Sequence, residues 1–224
     1  MYPLQRAVSA RTGVVLALMI VFTSALNVAA CRQLDDPEET GGYTIPHASD
    51  CLPDVTLLDQ HGQKVSLATL KGKPVLFDFI YTSCPGPCLL LTARMKQIAN
   101  KVGSVLGTDV RFVSITVDPE HDHSAQLLNY ANAQNANLKG WLFLTGTPKQ
   151  IDDVMARFNL TRAQEADMTP DHALEFFLVA PDGHALLQYM GDRATSERIA
   201  GDMQRAAAGK TVTAGDGSVV KVTL

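Results

Sequence analysis

Apolar positions in this chain gather into short unbroken runs that alternate with stretches in which they recur at helical spacing. Val75 to Tyr81 (VLFDFIY) is one such run, rich in branched and aromatic side chains, and it reads as a buried strand. Pro85, Gly86 and Pro87 break it, and Pro87 suits the first position of a helix, where its missing N–H would be unpaired anyway. Leu91, Met95, Ile98 and Val102 then repeat on one helical face. Val110 to Val117 is the next buried strand and ends in Asp118-Pro119; Ser124 to Asn137 reads as a helix and Trp141 to Leu144 as a strand. Thr147-Pro148 opens a helix striped by Ile151, Val154, Met155 and Phe158. Glu175 to Ala180 and Ala185 to Met190 are strands around the turn Pro181-Asp182-Gly183, and Thr195 to Ala207 closes as a helix. Ahead of these, Val55 to Leu58 and Lys64 to Leu67 flank Asp59-Gln60-His61-Gly62 in the pattern of a hairpin, and Thr211 to Leu224 suggests a small hairpin around Ala214 to Gly217. Strands that alternate with helices and finish in a hairpin predict an α/β domain with a mixed sheet flanked by helices, preceded by an N-terminal hairpin.

The first 31 residues break the pattern. Arg6 and Arg11 precede an uncharged run from Thr12 to Ala30 with an apolar centre, Val14 to Phe22, which predicts an export signal. It ends in Val28-Ala29-Ala30-Cys31, which resembles a bacterial lipobox whose cysteine is acylated; the alternative is an uncleaved anchor, since 19 uncharged residues approach the ~20 that span a bilayer. Either way the body is expected to be exported and tethered on the outer face of the cytoplasmic membrane. Residues 32–50 hold five acids, two prolines and a Gly-Gly with little to bury, the composition of a flexible linker. Residues 51–224 are then expected to form one domain. A net charge of -4 with 46% apolar and 19% charged residues fits a globular body and singles out no nucleic-acid partner, and none is expected.

Cys84 and Cys88 give the chain its chemistry. They sit on a strand-to-helix turn, Cys84-Pro85-Gly86-Pro87-Cys88, and unpaired N–H groups at a helix start stabilise a thiolate. At i and i+4 their α-carbons fall about 6 Å apart, within disulfide range. The same spacing can place two sulfurs on one metal, or mark an inert pair. Of the six histidines, His47 and His61 fall in the linker and a turn, His184 at a hairpin tip, and His172 in the loop Thr169-Pro170-Asp171-His172 just before the strand from Glu175.

From about Leu52 to Asp192 the chain resembles the Sco/SenC family, thioredoxin-like copper proteins that serve assembly of the binuclear copper site of cytochrome c oxidase. The pieces that carry the resemblance are Gly72-Lys73-Pro74-Val75, Tyr81-Thr82-Ser83-Cys84-Pro85-Gly86-Pro87-Cys88, Ser114 to Asp122 (SITVDPEHD), Asp171-His172, and Phe177 to Gly183 (FLVAPDG). The resemblance implies a thioredoxin-like fold, copper as Cu(I) or Cu(II), and Cys84, Cys88 and His172 as its ligands; Asp171 either orients its neighbour by a hydrogen bond or is only part of a loop pair. It implies a metallochaperone that binds copper only as the reduced dithiol. Its expected partner is the oxidase subunit carrying the binuclear copper site, with other copper chaperones or thiol reductants beside it. Two thiolates and an imidazole suit Cu(I), and three ligands leave the metal open for transfer. The same three residues also serve a thiol:disulfide oxidoreductase, with Cys84 and Cys88 as the redox pair. A peroxidase is a third reading, although the active-site motif of peroxiredoxins is not C-x-x-x-C. The chain departs from the family in Leu89, where a proline usually follows the second cysteine, and in Pro85-Gly86-Pro87, which lacks the usual acidic residue.

Five further positions carry expectations. His121 and His123 form either an accessory metal site or, as expected here, a solvated loop capping the next helix. Cys51 is either a plain thiol or a resolving cysteine for Cys84 or Cys88. Met168 can lend a thioether to Cu(I), but is expected to pack. Asp78, inside an apolar strand, needs a partner or a place near the strand end, and can tune the cysteines.

Overall fold

The structure, a computed structural model, describes residues 51–162, 175–215 and 217–224, together with the backbone of residues 40–43. The export signal with Cys31, most of the linker, and the loop carrying Met168, Asp171 and His172 lie outside the described residues.

Among the described residues, six strands make one mixed sheet: β1 (Thr40–Tyr43), β4 (Val75–Ile80), β5 (Arg111–Thr116), β6 (Trp141–Leu144), β7 (Glu175–Val179) and β8 (Ala185–Ala194), in the order β1-β8-β7-β4-β5-β6. The β4, β5 and β6 strands run parallel, whereas β7 returns antiparallel to β4, β8 to β7 and β1 to β8. The first hairpin, β2 (Thr56–Leu58) with β3 (Lys64–Ser66), and the last, β9 (Val212–Thr213) with β10 (Val219–Val220), stand apart as separate two-stranded pieces.

Side chains alternate across a strand, and β4 shows why its apolar run is continuous: both faces are covered. Leu76 and Ile80 join the core formed with α1 (Pro87–Val102), α2 (Ser124–Ala133) and α4 (Ser196–Ala207). Val75 and Phe77 join the other core, under α3 (Pro148–Met155) and the first hairpin. Asp78 has the parity of Leu76 and Ile80 and so faces the α1 side. Thr147 caps α3 with a reciprocal pair of bonds to Gln150, which explains why Thr-Pro opens that helix cleanly.

Two elements differ from the sequence reading. Within the segment read as a linker, Thr40–Tyr43 is the edge strand β1, and β8 extends to Ala194 to receive it, with Gly42 opposite Tyr189 and Thr40 opposite Ala194. The open edge of β8 supplies backbone partners that the sequence TGGY, with no alternation of its own, does not announce. The helix expected to reach Asn137 ends at Ala133, because Asn135 takes up positive φ (50°) and turns the chain.

Candidate dithiol site

Parallel strands deliver their C-terminal ends to one edge, and there the chain turns from β4 into α1 with both cysteines. Gly86 gives α1 no side-chain cap and Pro87 has no N–H to offer, so the free amide of Cys88 donates to Cys84 Sγ at 3.3 Å. The Cys84 amide itself donates to the Tyr81 carbonyl at 3.3 Å and closes the turn. Both sulfurs lie beneath the surface, Cys84 6% and Cys88 1% exposed. Leu89 and Leu90, the next two residues of α1, show 39% and 52% of their surface to solvent beside them.

The two sulfurs are electrostatically unlike. Burial acts to raise the Cys84 thiol, but hydrogen bonds from the Cys88 thiol, the Gly86 and Cys88 amides and the Tyr81 side chain outweigh it and bring it below the ordinary thiol value. Burial drives the Cys88 thiol well up, and its bond to Cys84 adds to that. Burial, with the neighbouring Cys84, also pushes Tyr81 up to about 12, so that it remains a proton donor. The site thus pairs a nucleophilic sulfur with one held as a thiol.

Sequence reasoning missed the residue that fixes the turn. Asp122, 1% exposed, takes the Thr82 amide at 2.8 Å and the Thr116 hydroxyl at 2.6 Å on Oδ2, and the Thr82 hydroxyl on Oδ1. It ties the loop after β5 to the residue two places before Cys84. The signal available was an acid in a loop following a strand parallel to β4, which topology brings to the same edge.

The neighbouring histidines point elsewhere. His121 Nδ1 meets Asp118 Oδ1 at 2.8 Å with three quarters of its side chain exposed, and exposed His123 stands at the N-terminus of α2 without a side-chain capping bond. Among the described residues, no three His, Cys, Asp or Glu side chains gather to hold a metal. Cys51 lies off the opposite end of the sheet, bridged to His184 beyond β7, and so is separated from the dithiol turn by the six-residue length of β4, ~20 Å. A resolving role for it has no geometric basis in this fold. Asp78 is completely buried, and neither carboxylate oxygen makes a hydrogen bond of good geometry. The charge it would carry acts on Cys88 and Tyr130.

A mixed sheet with a cysteine pair where a central parallel strand meets a helix defines a thioredoxin-like fold. The SCO1/SenC family model matches residues 44–208, and the chain belongs to that family. The SCO1 protein homolog of Bacillus subtilis is 36% identical over 139 residues, covering 61% of this chain and 72% of that protein. Three further curated relatives are covered over 56% to 65% of their length. Among solved structures, BsSco, described with a disulfide switch and as a member of the Sco family of cytochrome c oxidase assembly proteins, is 32% identical with a TM-score of 0.62, over 75% of this chain and 96% of its own. Bradyrhizobium japonicum ScoI, solved with copper bound, is 28% identical with a TM-score of 0.58, over 70% and 99%.

Proposed function

We propose that this chain is an exported, membrane-tethered copper metallochaperone that delivers copper for the binuclear copper site of cytochrome c oxidase. Cys84 and Cys88 bind as thiolates and His172 through its imidazole. The observation that carries this reading is the sulfur pair at the start of α1, with the Cys88 amide directed at Cys84 Sγ. Family membership and a relative solved with copper support the identity of the cargo. Topology supports the third ligand: β7 runs antiparallel to β4 with Phe177 opposite Phe77, so Glu175 opens β7 at the dithiol edge, and His172 is three residues earlier in the chain. Three residues reach at most about 11 Å.

Two thiolates and an imidazole favour Cu(I). Each thiol gives up its proton to coordinate, so loading releases protons and requires the reduced pair. A disulfide between Cys84 and Cys88 removes both donors at once, which makes the redox state a gate. Lipid on Cys31 holds residues 51–224 at the membrane, and the exposed Leu89 and Leu90 offer an apolar rim against which an oxidase subunit can dock.

An equimolar copper titration of the reduced protein, with Ala at Cys84, Cys88 and His172 in turn, tests the proposal. One copper per chain and a changed spectrum in each variant are expected; an unchanged stoichiometry and spectrum in His172→Ala overturns the three-ligand site. A second reading, a thiol:disulfide oxidoreductase, is favoured by the asymmetry of the thiols, since a lowered nucleophile beside a buried partner also suits disulfide exchange. Weak copper binding combined with rapid turnover of a partner's disulfide selects it.

A further inference from the structure

At the end of the sheet away from the dithiol, three side chains meet that the copper reading leaves unused. Cys51 forms an isolated antiparallel bridge with His184, and Leu52 N donates to Gly183 O at 3.0 Å, so the segment bearing Cys51 is pinned to the β7–β8 turn. Cys51 Sγ lies 3.3 Å from His184 Nε2 and 3.7 Å from Nδ1, and 3.9 Å from the Asp182 carbonyl oxygen. His184 Nδ1 in turn lies 3.2 Å from Asp182 Oδ1, an oxygen that also accepts the His184 amide at 3.0 Å. In the tautomer that carries its proton on Nδ1, on the side of the Asp182 carboxylate, Nε2 is left as an acceptor within reach of the thiol. A sulfur, a base within hydrogen-bond reach and a carboxylate that orients the base are the three parts of an activated nucleophile.

The group is reachable. Cys51 is half-buried, and the side chains of His184 and Asp182 are 37% and 26% exposed. The same turn also carries a cation: the Lys71 side chain crosses it so closely that a Cβ on Gly183 would stand 3.0 Å from Lys71 Cε. Lys71 thus brings a positive charge to the turn that carries His184 and Asp182, which favours small anionic reagents there.

We propose that Cys51, His184 and Asp182 form a second thiol site, independent of Cys84 and Cys88, that takes up anionic low-molecular-weight disulfides by exchange. Cys51 Sγ attacks one sulfur of the disulfide R–S–S–R as its proton passes to His184 Nε2. A Cys51–S–S–R bond forms while the S–S bond of the reagent breaks. The leaving RS⁻ takes up the proton from the imidazole, so no net oxidation occurs and no further reactant is required. Asp182 acts as a positioning residue, holding the ring with Nε2 toward sulfur.

The test is the rate at which the reduced full chain, exposed to glutathione disulfide at pH 7, gains a glutathionyl group at Cys51, followed by mass spectrometry of the peptide containing it, so that the other cysteines do not contribute. The native chain is expected to react at least tenfold faster at Cys51 than the same chain unfolded in urea. His184→Ala loses that advantage, and added free imidazole restores part of it, a rescue that a purely structural role would not give. Asp182→Asn slows the reaction several-fold, and Lys71→Gln slows glutathione disulfide more than it slows neutral hydroxyethyl disulfide. Equal rates in native and unfolded chains, or an imidazole-insensitive His184→Ala, overturn the proposal. Because the readout is confined to Cys51, copper binding at Cys84 and Cys88 succeeds or fails independently of it.

Discussion

Asp122 Oδ2 accepts the backbone amide of Thr82 at 2.8 Å, and through that bond a loop 40 residues away holds the turn that carries Cys84. The carboxylate is almost wholly buried and serves three donors, two of them on Thr82. Bonds to a charged acceptor contribute about 1.5–3 kcal/mol each, and removing the acceptor strands buried donors. Asp122→Ala is therefore expected to lower stability by about 3 kcal/mol, a fall of roughly 6–12 °C in Tm for a domain of this size. Thermal unfolding followed by circular dichroism checks it. A loss below about 1 kcal/mol would mean that the turn is held by other contacts.

The unlike thiols predict an order of labelling. With limiting iodoacetamide at pH 7, Cys84 is expected to alkylate at least tenfold faster than Cys88, since it has the lowered pKa and the larger exposure, while Cys88 is raised by burial and by its bond to Cys84. Peptide mapping over a time course reads both rates. Equal rates, or Cys88 first, contradict the assignment of Cys84 as nucleophile.

Asp78 makes stability depend on pH in the direction opposite to an ordinary salt-bridged acid. Burial raises its pKa from 3.8 to about 7; Ser114, across from it in β5 and already the acceptor for Trp141 Nε1, lowers it only in part. The folded state thus keeps the proton that the unfolded state releases near pH 4. Its contribution is complete below pH 4 and is lost as pH rises through about 7, a change of roughly 4 kcal/mol. Urea unfolding at pH 5 and pH 8 is expected to show the decline, and Asp78→Asn to flatten it. A variant with an unchanged slope would place the titration elsewhere.

Gly140 marks a close backbone crossing. Its φ is +90°, and a Cβ there would stand 2.4 Å from both Cα and N of Gly107, backbone atoms that cannot step aside. Gly140→Ala combines positive φ with overlap and is expected to cost about 3 kcal/mol or more, read as a lowered urea midpoint. Gly201→Ala, in α4 with only ordinary contacts of 3.5 Å or more to the Arg205 side chain, is the control, expected to be at least as stable as the parent chain.

How much of this was legible depended on whether a feature is local. Val75–Ile80 and Arg111–Thr116 announce themselves because strands covered on both faces are apolar throughout, and Pro87 marks the first residue of α1 because a helix start does not need its N–H. The dithiol turn follows from those two neighbours. Asp122 could not be read: its partners, Thr82 and Thr116, meet it only once parallel β4 and β5 bring their ends together. Cys51 and His184 are 133 residues apart, and their contact depends on where the β7–β8 turn lands. Thr40–Tyr43 is a strand because a neighbour's edge recruits it, a cause that does not reside in its own residues.

That both sulfurs lie under the surface has a bearing on traffic as well as on acidity. On the copper reading proposed above, a chelator in bulk water meets sulfurs that are only 6% and 1% exposed, and is expected to strip the ion slowly. Fast release is then expected only to a macromolecule whose own contacts with Leu89 and Leu90 prise the turn apart. Selectivity of handover would in that case be decided by who can touch the protein, more than by whose affinity for the ion is greater.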